Sequence, residues 1–60
     1  MSRLNVVKHD QGWVVVEDGE VMIEPRQRRR SAIEWATVQK HLWGGTIRVY
    51  NEDGTIEEID

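Results

Sequence analysis

The run SAIEWATVQKHLWGG, residues 31–45, decides how the rest of the chain is read. Ser31-Ala32-Ile33-Glu34 has the spacing of a capping box, in which the serine hydroxyl accepts a backbone amide three residues on and the glutamate reaches back to the cap. Gly44 and Gly45 supply the left-handed residue on which a helix stops. The spacing therefore predicts a helix from about Ser31 to Trp43. At 100° per residue its apolar side chains spread over roughly 220°, well beyond the stripe of about 100° that suffices for a helix on one sheet. One small sheet leaves part of that surface uncovered. Trp35, Val38, Leu42 and Trp43 are accordingly candidate self-association residues, and for so short a chain a homodimer is the preferred way to cover them, ahead of a separate protein partner.

Upstream of the helix, Leu4 to Lys8 alternates apolar and polar residues as a half-buried strand does. His9-Asp10-Gln11-Gly12 is a turn, and Trp13 to Val16 is β-branched and apolar, so the two runs read as a hairpin. Glu17-Asp18-Gly19-Glu20 carries the Asp-Gly pair of a second tight turn. It leads to a third short strand, Val21 to Glu24, which Pro25 ends or confines to an edge. Downstream, Thr46 to Tyr50 alternates again, Asn51-Glu52-Asp53-Gly54 is a turn, and Thr55 to Ile59 is a last strand. The expected fold class is α+β: one domain over residues 1–60, a small antiparallel sheet of four to five strands with one helix on one face, in the order β-β-(β)-α-β-β.

Sixty residues without a cysteine hold no disulfide and no thiolate metal site to staple a small core, so stability rests on packing or on a second copy. No apolar stretch approaches the roughly 18 residues of a membrane helix. No membrane association is expected, and the default location is cytoplasmic.

The net charge of −3 hides a strong asymmetry. Residues 1–25 sum to −3, residues 26–48 carry six bases against Glu34 for +5, and the remainder is −5 with no base at all. Four arginines, Arg26, Arg28, Arg29 and Arg30, crowd the helix start. Guanidinium groups fork to phosphates and stack on bases, which makes this cluster the candidate anion or nucleic-acid contact. Cations beside the positive end of a helix dipole are locally unfavourable unless something negative is near. That negative group is either a phosphate-bearing partner or internal, from Glu34 or the acidic stretch Glu57 to Asp60.

Gly12-Trp13 before a valine-rich strand, an acidic-Gly turn, a basic stretch, Ser31-Ala32-Ile33 opening a helix, and Asp53-Gly54 before a final strand together resemble the short bacterial family catalogued as domain of unknown function 2188. The resemblance spans Val6 to Ile56. It implies a strand–strand–helix–strand–strand domain and supplies no activity or catalytic residue. The dense arginine run departs from the family pattern.

Other constellations are weaker. The three tryptophans and Tyr50 could stack bases, but in a chain without phenylalanine such rings more commonly build the core. His9 with Asp10, and His41, are the only candidate bases or ligands, too few and too far apart for a metal centre. No nucleophile elbow, P-loop or metal-binding helix is present. The sequence thus predicts no enzyme, no catalytic residue, no cofactor and no metal. It predicts a small interaction module that self-associates, with a nucleic-acid binder using the arginine cluster as the alternative.

Overall fold

A computed structural model describes residues 3–60. The chain runs β1 (Arg3–His9), β2 (Gly12–Glu17), β3 (Glu20–Val21), α1 (Arg29–Trp43), β4 (Thr46–Tyr50) and β5 (Ile56–Ile59). The five strands form one sheet in the order β3-β2-β1-β4-β5, and α1 packs on one face of it.

The sheet is mixed, which corrects the expectation of an antiparallel one. β1 pairs antiparallel with β2 and β2 with β3, and β4 pairs antiparallel with β5, but β1 and β4 are parallel, with Leu4 opposite Ile47 and Val6 opposite Val49. The cause is the helix. Two tight turns alternate strand direction up to β3, and the fifteen-residue α1 then carries the chain back across the sheet. A crossover of a dozen or more residues is what parallel pairing requires, so β4 starts again in the direction of β1.

Strand alternation sorts the side chains. Leu4, Val6, Trp13, Val15, Ile47 and Val49 are buried beneath the helix, which places Ala32 and Ala36 against them. Neither alanine is exposed at all, and their small side chains one turn apart bring the helix axis close to the sheet. Ile23, Ile33 and Trp35 close the edges of this core. By register, Val7, Val14 and Val16 share the opposite face with Asn5, Arg48 and Tyr50.

β1 and β2 each run one residue further at both ends than expected, and three other elements differ in their bounds. The third strand is the pair Glu20–Val21 rather than Val21 to Glu24; just beyond it the Met22 amide donates to the Val15 carbonyl of β2 at 2.8 Å, and the chain rejoins β2 where Trp13 and Arg26 exchange backbone hydrogen bonds of 2.7 and 2.8 Å. That approach requires Gly12: its φ is 142°, and a Cβ there would collide with the Arg26 carbonyl. The last strand opens at Ile56, because Thr55 belongs to the turn. Finally, α1 starts at Arg29 with Arg28 as its N-cap, and no side chain caps it. Ser31 is not the cap. Its hydroxyl instead accepts a hydrogen bond of 3.0 Å from Arg26 Nη1.

Candidate interaction surface on the helix flanks

The two long flanks of α1 differ in kind. On the β5 side, Arg29 lies over the Trp13 ring, 5.6 Å from its centroid. Its Nη2 meets Glu57 Oε2 at 3.0 Å, and its Nη1 donates to Asn51 Oδ1 at 3.3 Å and to the Tyr50 carbonyl at 3.5 Å. About three turns further on, Lys40 Nζ pairs with Asp60 Oδ1 at 3.2 Å. Two cations of the helix and two acids of the last strand region thus close this flank.

The turn that delivers β5 to its place is itself built from side chains. Asp53 Oδ1 accepts from the Thr55 hydroxyl at 2.7 Å and from the Thr55 amide at 3.0 Å, while Asn51 Nδ2 donates to the same hydroxyl at 3.0 Å. The Thr55 hydroxyl and then its amide stabilise the ionised form, so the Asp53 carboxyl sits below its ordinary value of 3.8.

On the β3 side the flank is open. Ser31, Trp35, Val38 and Leu42 recur at intervals of four, three and four, the spacing of a coiled-coil seam, and at 100° per residue they fall within about 60° of one another. Val38 is 53% exposed and Leu42 61% exposed. β3 is two residues long and cannot reach up to cover them. Trp43, at the end of the helix, is 74% exposed. It lines a groove of about 360 Å³ with Trp35, Gln39, Leu4, Met22, Glu17 and Gly44. Glu17 lies directly opposite Glu20 across the β2–β3 pair, a like-charged cross-strand pair that disfavours the hairpin it sits in.

The structure therefore gathers the four candidate self-association residues along one flank and one end of α1. It disperses the arginines. Arg29 is engaged internally, by Glu57 of the acidic stretch rather than by Glu34. Arg26 is turned to Ser31, and Arg28 and Arg30 are exposed with no ion-pair partner among the described residues. Arg26 and Arg28 lie at the β3-side end, next to Ser31. Trp13 is core, and Tyr50 shares the other face of the sheet with Arg48, so the rings and the arginines do not form one stacking platform.

His9 is exposed, and its Nδ1 accepts the Gln11 amide at 3.1 Å to close the first turn. His41 lies exposed in the last turn of α1, near the free carbonyls. Among the described residues no three His, Cys, Asp or Glu side chains converge as metal ligands would. No helix among them is long and apolar enough to cross a membrane. Glu17 in the groove beside Trp43, with Glu20 opposite it across the β2–β3 pair, is what sequence reading missed. The Asp-Gly turn places these residues opposite each other, but only the position of the helix end makes Glu17 part of a groove. Compared with known protein families, curated proteins and solved structures, the chain matches none.

Proposed function

We propose that this chain is a small non-enzymatic interaction module that associates with itself through the β3-side flank of α1. The observation that carries this reading is the contrast between the flanks. One is sealed by the Arg29–Glu57 and Lys40–Asp60 pairs, whereas the other presents Val38, Leu42 and Trp43 to solvent. Large apolar side chains in a contiguous exposed strip mark an interaction surface, and burying each is worth roughly 1.5–3 kcal/mol. The far face of the sheet is the less suitable surface for a second copy, because Arg48 and Asn5 sit opposite each other in its middle and a two-fold contact there would set arginine near arginine.

Sedimentation equilibrium tests the proposal. The unmodified chain should sediment as a dimer at micromolar concentration, and Val38→Glu should convert it to a monomer with unchanged circular dichroism, since Val38 is exposed and is not one of the buried core residues. A monomeric, folded wild-type chain at that concentration overturns the reading.

Arg28 and Arg30, exposed and without an acidic partner among the described residues, support a second reading as a nucleic-acid contact completed by Arg26. With Arg29 engaged by Glu57, three arginines are left for phosphates. Three phosphate contacts correspond to a slope of about −2.7 in log K against log salt on duplex DNA. Oligonucleotide titrations with no binding at low salt eliminate this reading and leave the first in place.

A further inference from the structure

We infer that the two copies pair with their helices antiparallel, so that Arg26 and Arg28 of each reach the Glu17–Glu20 carboxylates beside Trp43 of the other; this rests on the self-association proposed above and specifies its geometry.

The seam is the first support. Ser31, Trp35, Val38 and Leu42 are spaced symmetrically about a point between Ala36 and Thr37. A two-fold axis there sets Ser31 opposite the partner's Leu42 and Trp35 opposite the partner's Val38. Each bulky residue then meets an aliphatic or a small one, the alternation that lets side chains interdigitate. In a parallel pairing Trp35 would meet its own copy at the same level, with Ser31 against Ser31 and both charged ends side by side.

Charge is the second support, and it is independent of the seam. Antiparallel helices place the N-terminal end of one beside the C-terminal end of the other, which also opposes their dipoles favourably. At the N-terminal end of this flank stand Arg26, held by its 3.0 Å bond to Ser31, and the exposed Arg28. At the C-terminal end lies the groove of Trp43, Trp35 and Met22 with Glu17 in its wall. Glu20 is directly opposite Glu17, and neither has an ion-pair partner among the described residues. A guanidinium between two such carboxylates relieves their mutual repulsion and stacks on an indole. Each copy thus carries an unneutralised basic end and an unneutralised acidic, aromatic end on one flank. The antiparallel arrangement satisfies both twice.

Because the chain has no cysteine, single cysteines report the pairing directly. In a glutathione redox buffer, a mixture of Ser31→Cys and Leu42→Cys chains should give a covalent heterodimer, and neither chain alone should cross-link with itself. Both positions are at the surface of the flank, and circular dichroism checks that each variant is folded. Self-linked homodimers of each variant, with no excess of the mixed product, show a parallel pairing and overturn the inference while the self-association stands. Absence of any cross-link in a chain that sediments as a dimer moves the interface elsewhere and overturns the inference together with its surface. A monomer in sedimentation overturns the reading beneath it.

A charge swap provides the second readout. Arg26→Glu/Arg28→Glu and Glu17→Arg/Glu20→Arg chains should each dimerise about tenfold or more weakly than wild type, whereas a one-to-one mixture should recover a heterodimer. Recovery of nothing in the mixture removes the arginine–carboxylate contact.

Discussion

Arg29 holds together parts of the chain that lie far apart in sequence. Its guanidinium covers Trp13, pairs with Glu57 and reaches Asn51, so β2, the β4–β5 turn and β5 all meet at one side chain. The ion pair is largely solvated and worth at most about 1 kcal/mol. The ring contact adds roughly 0.5–1 kcal/mol. Arg29→Ala should therefore lower stability by about 1–2 kcal/mol in denaturant titration, with Arg28→Ala, which removes no such contact among the described residues, changing the monomer little. Gly12 carries a larger penalty of another kind. A side chain there faces the Arg26 carbonyl from a backbone conformation that L-residues avoid, and Gly12→Ala should cost roughly 1–3 kcal/mol or displace the segment that follows β3. Asp53 ties stability to pH. Its carboxyl is lowered in the folded chain, so its contribution is complete above the ordinary aspartate value and is lost as pH falls through the lowered one. Asp53→Asn should be less stable than wild type at neutral pH, and the gap between their denaturant midpoints should close in strong acid.

The start of α1 shows a local signal yielding to tertiary contacts. Ser31-Ala32-Ile33-Glu34 has the letters of a capping box, yet the helix begins two residues earlier, because extending it to Arg29 lets that side chain reach Trp13 and Glu57. The measurable consequence is that Ser31→Ala should cost well under the roughly 1 kcal/mol of a lost cap, since only an exposed bond from Arg26 disappears. Arg28→Ser, by contrast, introduces a capping hydroxyl at the true cap and should stabilise the isolated domain by about 0.5–1 kcal/mol. If the dimer has the geometry inferred above, the same change should weaken association, so stability and dimerisation would move in opposite directions. Elements whose signals are local were legible in the sequence. β4 occupies Thr46–Tyr50 as its alternation indicated, the Asp18–Gly19 turn connects β2 to β3, and α1 ends at Trp43 where the glycines stop it. The end of the third strand was not legible, because it depends on the pairing of Arg26 with Trp13, which no neighbour in sequence announces. The exposed stripe of Val38, Leu42 and Trp43 was legible as an excess of apolar surface, while the groove beside it required the position of the sheet.

Strand partnership across the domain depends on non-local closure, and here sequence reading failed in one respect. Hairpin signals imply antiparallel neighbours and were right for β1–β2, β2–β3 and β4–β5. They say nothing of how one hairpin meets the next, and the crossover through α1 made β1 and β4 parallel. This pairing sets Leu4 beside Ile47 on neighbouring strands, and Asp60, just past the end of β5, lies on the other side of Ile47, with which it exchanges backbone hydrogen bonds of 2.8 Å each way. At about 4.8 Å between strands, Leu4 and Asp60 stand roughly 10 Å apart at the same end of the sheet. A short glycine-rich link could join them, making the covalent path a ring that can be opened elsewhere. Cut between Asp53 and Gly54, the ring gives a permuted chain in which the last strand comes first and every ladder is retained. Such a permutant should fold with the far-ultraviolet spectrum of the parent. The same adjacency would let the domain be spliced into a surface loop of a host protein with little strain on either.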